Sequence, residues 1–75
     1  MNIQKTVSGA ALTVALEGRL DTTTAPKLEE ELRGSVDGVS RLVFDLEKLE
    51  YISSAGLRVL LAMQKLMNRQ GAMLL

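Results

Sequence analysis

The segment Arg41-Leu-Val-Phe-Asp45, with Leu46, constrains this chain most. It is an apolar run too short for a helix and bounded by polar residues. A β-branched and an aromatic residue in such a run predict a strand buried on both faces. Glu47 to Glu50 then reads as a polar turn, and Tyr51-Ile52 restores apolar character. Ser53 or Ser54 can cap a helix, because a serine oxygen accepts a backbone N–H that the first helical turn leaves unpaired. From Leu57 the pattern is helical to about Gln70, and Gly71 is the expected stop.

The two serines differ in direction. At about 100° per residue, Arg58, Lys65 and Arg69 share one line along this helix, with Ala55 and Ala62 beside it. Ser54 projects to that polar side. Val59, Leu60, Met63, Leu66 and Met67 fall on the other faces, and Ser53 projects toward them. Ser54 is therefore expected at an exposed helix start, one turn before Arg58. A helix N-terminus offers free N–H groups and the positive end of the macrodipole, so a phosphoryl group on Ser54 could be held there by amides and by Arg58. The competing reading is that both serines only cap the helix.

The preceding chain supplies the scaffold. Asn2 to Ser8 alternates weakly and fits an edge strand, and Ser8-Gly9 marks a turn. In Ala11 to Leu16, the residues Leu12, Val14 and Leu16 share one face. The short link predicts an antiparallel hairpin. Gly18 to Asp21 leaves that strand, Thr22 to Thr24 supplies helix caps, and Pro26 fits a first turn. Leu28 and Leu32 follow a helical period, Glu29 and Arg33 form an i,i+4 pair, and Asp37-Gly38 is a turn. A last strand is expected over Ala72 to Leu75. The order predicts an α/β fold: a small mixed sheet with an N-terminal antiparallel hairpin, then parallel strands joined by helical crossovers, in a single domain over residues 1–75. The serine turn then lies at the C-terminal end of the third strand, where open α/β sheets carry function.

Composition narrows the chemistry. Nine basic and nine acidic residues give zero formal charge, so there is no general attraction for nucleic acid or an acidic membrane. Phe44 and Tyr51 are the only aromatic residues, too few for a base-stacking platform. There is no cysteine and no histidine, which removes thiolate chemistry, the usual zinc ligands and the commonest general base. No glycine-rich phosphate loop occurs, and Ser54 has no base to activate it as a hydrolase nucleophile. Asp45, Glu47 and Glu50 read as a solvated loop, and Met63 with Met67 as core filling. No enzyme activity, cofactor or metal is expected. The lack of a signal-like block or of an apolar run of about 18 residues makes a cytoplasmic protein the expectation.

Two stretches carry a resemblance to a known family. One is Gly18-Arg-Leu-Asp21 with Thr22 to Ala25 and the helix after it. The other is Leu46 to Leu60, around the serines. With the element order, they resemble the STAS domain of bacterial anti-sigma factor antagonists over essentially the whole chain. The resemblance implies a non-enzymatic regulator of sigma-factor-dependent transcription. Such an antagonist binds an anti-sigma factor that is itself a serine kinase, and phosphorylation breaks the complex. The family's phosphoacceptor falls on Ser54, and its partner surface falls on Asp21, Thr22, Ser53, Ala55, Gly56 and Arg58. Ser53 stands where close antagonists carry aspartate, and Ala55 where they often carry serine or threonine. The alternative is a STAS scaffold that binds a partner without a phospho-switch. Family domains continue with further elements, so Ala72 to Leu75 is expected to leave an open edge through which chains self-associate.

Overall fold

The computed structural model describes residues Met1 to Leu74, the last by its backbone alone. The elements run β1 (Asn2–Ser8), β2 (Ala11–Leu20), α1 (Ala25–Arg33), β3 (Arg41–Ile52), α2 (Ser54–Met67) and β4 (Ala72–Leu74). One four-stranded sheet has the order β1-β2-β3-β4. β1 and β2 form the expected antiparallel hairpin, while β2, β3 and β4 pair in parallel. Leu75, the last residue of the expected final strand, lies outside the described residues.

One core joins the layers. Leu12, Val14, Leu16 and Leu20 of β2, with Leu42 and Phe44 of β3, point to the same side of the sheet. There they meet Leu28 and Leu32 of α1 and Val59, Leu60, Met63 and Met67 of α2. The methionine pair is core, as its spacing predicts. Leu66 is not: it stays partly exposed. β1 is tied to α1 by Lys5, whose ammonium lies 2.8 Å from the Glu31 carboxylate.

The strands depart from their expected limits. β3 does not end at Leu46, and Glu47 to Glu50 is strand rather than turn. β2 likewise continues through Gly18 and Arg19 to Leu20. The reason lies in the register. Between Ala15 and Glu17 of β2, β3 advances from Asp45 to Lys48, and between Gly18 and Arg19 it advances from Leu49 to Tyr51. Each step leaves one extra residue in β3, as in a β-bulge. That breaks the period-two alternation by which a strand is read. Nor is β3 buried on both faces. Leu42 and Phe44 are buried, but Arg41 and Asp45 on the opposite face are exposed and Val43 is half-buried.

The far end of the molecule is closed by Gln70. Its side-chain amide donates to the carbonyls of Val36 and Val39, each at 2.8 Å, and so pins the α1–β3 connection to the end of α2. α2 itself stops at Met67, short of Gln70. Gly71 is not a left-handed cap. A Cβ there would overlap the Ser40 carbonyl carbon and oxygen, so its role is close approach. Gln70→Ala removes two partly buried hydrogen bonds and is expected to cost about 1–3 kcal/mol, measured by chemical denaturation. An unchanged unfolding midpoint would show that the clamp contributes nothing.

Candidate functional site

The ends of β2 and β3 meet at one hydrogen bond: the Ser53 N–H donates to the Leu20 carbonyl at 2.8 Å. This contact brings the segment after β2, beginning at Asp21, beside the start of α2. Ser53 is extended (φ −92°, ψ 173°), and its Oγ accepts the Gly56 N–H at 3.3 Å. Its carbonyl accepts the Leu57 N–H at 2.9 Å. Ser53 is thus the cap of α2. Ser54 is the first helical residue and is exposed. The direction inferred for each serine from the helical angle holds.

Gly56 lets α2 start this close to the sheet. A Cβ at this position would lie 2.6 Å from Leu20 Cγ and 3.0 Å from the Leu20 carbonyl oxygen. Leu20 is fully buried, so neither atom can move away freely. The glycine is needed for approach, and Ser54 takes its height above the sheet from that contact.

Asp21 holds the other side. Its Oδ1 accepts the backbone N–H groups of Thr23 (3.0 Å) and Thr24 (3.1 Å), and its own N–H donates to Thr24 Oγ1 at 2.8 Å. This is a reciprocal capping box with threonine as the distal partner. The Thr24 hydroxyl donates to the Arg19 carbonyl at 2.8 Å, and the Ala25 N–H donates to the Asp21 carbonyl at 2.8 Å. Helical hydrogen bonding therefore begins one turn before α1. The capping partners that form are Asp21 and Thr24, in the turn before α1, and not Thr22; at the N-cap position of α1 itself Thr24 makes no side-chain cap bond. The Thr24 amide, above all, holds the Asp21 carboxyl below its ordinary value of 3.8, with help from the Thr23 amide, the Thr24 hydroxyl and Arg19.

Thr22, Ala25, Pro26 and Glu29 form one wall of an open groove whose other wall is Ala55, Arg58, Val59 and Ala62. The structure thus brings Thr22, Ala55 and Arg58 together. Ser53 and Gly56 lie beneath as framework, and Asp21 lies beside Thr22. α2 carries no acidic residue, and none of the ion pairs among the described residues involves Arg58. Two features were missed in the sequence. Leu57 and Leu61 are about half exposed (49% and 48%) on the Ser54 side of α2. Their i+3 and i+7 spacing from Ser54 was the available signal. The Arg19 guanidinium also sits 4.3 Å from the centre of the Tyr51 ring, at the strand ends that carry the site.

A four-stranded mixed sheet that presents a capped serine at the start of its second helix defines a class, and comparison with known proteins identifies it. The chain belongs to the STAS domain family, whose profile matches residues 2–75. It is 46% identical over 66 residues to a Bordetella bronchiseptica protein named as an anti-sigma factor antagonist, BtrV. The match covers 85% of this chain and 57% of that protein, so the chain spans little more than half of its relative's length. An anti-sigma factor antagonist from Mycobacterium paratuberculosis superposes with a TM-score of 0.87 at 27% identity, over 96% of this chain and 62% of its own. The unphosphorylated form of the antagonist SpoIIAA superposes with a TM-score of 0.83 at 18% identity, over 97% of this chain and 71% of its own. The phosphorylated form of the Bacillus SpoIIAA superposes at 0.80 and 16% identity, over 99% and 69%; at such identities the likeness is one of fold.

Three outcomes are expected from this geometry. Ser53→Ala should cost about 0.5–2 kcal/mol through loss of the cap, while Ser54→Ala is near neutral, as read by thermal unfolding. Gly56→Ala should destabilise by about 1–3 kcal/mol, because Leu20 and its carbonyl must yield. Asp21 gives a pH signature. Its folded pKa is depressed, so its stabilisation is present above the unfolded value near 3.8 and fades as pH falls through the folded value. Asp21→Asn should therefore be less stable than the native chain at pH 7, and the gap should narrow below about pH 4. A gap that is equal at pH 7 and pH 3 would contradict this.

Proposed function

We propose that this chain is an anti-sigma factor antagonist, which binds an anti-sigma factor serine kinase through the start of α2 and is released when Ser54 is phosphorylated. One observation carries the reading: Ser54 is exposed at the first position of α2 while its neighbour Ser53 is occupied as the cap. The relative named BtrV and the similar solved structures support it through what they are named.

The physical logic is local. Leu57 and Leu61 offer apolar area on the Ser54 side of α2, and the groove lined by Thr22, Ala55 and Arg58 runs along the first turns of the same helix. A phosphoryl group adds about 1.5 to 2 negative charges at neutral pH. The helix tolerates this charge, since an anion at its N-terminus is favourable by about 0.3–1 kcal/mol. Arg58, one turn on, supplies a cation. The loss of binding therefore arises at the partner's surface, which would have to desolvate or face the phosphate. The fold itself is expected to change little.

The test uses the protein, ATP and a candidate anti-sigma factor kinase. Phosphate should be located on Ser54 by mass spectrometry. Ser54→Ala should retain kinase binding and take up no phosphate, and Ser54→Asp should bind more weakly. Phosphate on Ser53 or on a threonine, with Ser54 unmodified, would overturn the assignment. Binding without any phosphate transfer would favour a STAS scaffold that holds its partner constitutively.

A further inference from the structure

Both helices pack on one side of the sheet, which leaves the opposite side open. Its side chains form a grid fixed by the strand register. Ser8, Ala11, Arg41 and Ala72 make one row across the strands. Thr6, Thr13 and Val43 make the next, and Gln4, Ala15 and Asp45 the third. The two middle strands are β2 and β3, and their central positions on this face are small or β-branched: Ala11, Thr13, Ala15 and Val43, all half-buried. The Glu17–Lys48 ion pair, at 4.0 Å, lies just past the third row.

Two charges flank this neutral centre on a single strand. Arg41 and Asp45 are both exposed, point to the same face and stand one row either side of Val43. Neither belongs to an ion pair among the described residues. Such a pattern is self-complementary. A two-fold axis through the middle row, lying in the plane between two facing sheets, sets β3 antiparallel to β3 of a second copy. It then places Val43 on Val43, Thr13 on Thr13, Ala11 on Ala15, and Arg41 on Asp45 twice over. Parallel strands rarely leave a whole face in water, which adds a reason for a cover.

We propose that the open sheet face is a homodimer interface, in which two copies of this chain stack face to face with reciprocal Arg41–Asp45 pairs. The inference does not depend on the reading of Ser54, since this face lies across the sheet from α2. It also leaves the start of α2 free in both copies. The molecule measures 28 × 20 × 18 Å, so the face offers roughly 500 Å² per copy. That is near the lower limit of about 1,000 Å² in total for a specific interface, and the dimer is expected to be weak and sensitive to salt.

Charge exchange tests this directly. Sedimentation equilibrium at about 0.5 mM protein suits an interface of this size. The native chain should be largely dimeric at low salt and shift toward monomer in strong salt. Arg41→Asp alone and Asp45→Arg alone should each weaken the dimer at least about tenfold, because like charges then face each other in both pairs. A one-to-one mixture of the two variants should dimerise again, since each supplies the charge the other needs. That recovery also shows both variants to be folded. A native chain that stays monomeric would overturn the proposal. So would a dimer that neither variant weakens, which would point to pairing at a strand edge, or weakened variants whose mixture does not recover.

Discussion

The contact on which this molecule depends is between Leu20 and the start of α2. The Leu20 side chain is buried, its carbonyl takes the Ser53 N–H, and Gly56 comes down on both. Through these few atoms the end of β2, the end of β3 and the first turn of α2 are held as one unit. The rest of the core, from Leu12 to Met67, keeps that unit rigid by ordinary apolar burial. On the proposed reading, the site needs only one exposed side chain, Ser54, on this fixed base.

That arrangement separates two serines that are adjacent in sequence. Ser53 satisfies the backbone of the helix, so its hydroxyl is committed to structure. Ser54 begins the helix exposed, and no hydrogen bond among the described residues holds its hydroxyl. The Asp21–Thr24 capping box closes the turn that leads into α1, Ser53 caps α2, and the two helix starts face each other across the groove. Paired caps of this kind fix two helix N-termini without spending buried charge. The zero net charge of the chain gives it no general attraction for polyanions.

Much of this could be read from the residues. The hairpin, the parallel crossovers, the cap at Ser53 and the outward direction of Ser54 follow from short-range pattern and helical angle. Glu47 to Glu50 misled, because its polarity imitates a turn. The strand continues there on a face open to solvent, and two extra residues in β3 erase the alternation that would have revealed it. The run from Arg41 to Leu46 also imitated a strand covered on both sides. Its charged ends in fact mark the open face. Leu57 and Leu61 were hidden by the apolar character of α2 as a whole. Their spacing from Ser54 marked the side of the helix they share with it, but how much of them remains outside is decided by how α2 settles on Leu20, a tertiary contact.

The most direct measurement is a hydrogen-exchange footprint of an anti-sigma factor kinase on the unphosphorylated chain. Protection is predicted at the start of α2, from Ser54 to Leu61, and around Asp21 and Thr22. It should vanish once Ser54 carries phosphate, while exchange in β2 and β3 stays unchanged. Protection confined to other surfaces, or a footprint that survives phosphorylation of Ser54, would contradict the account.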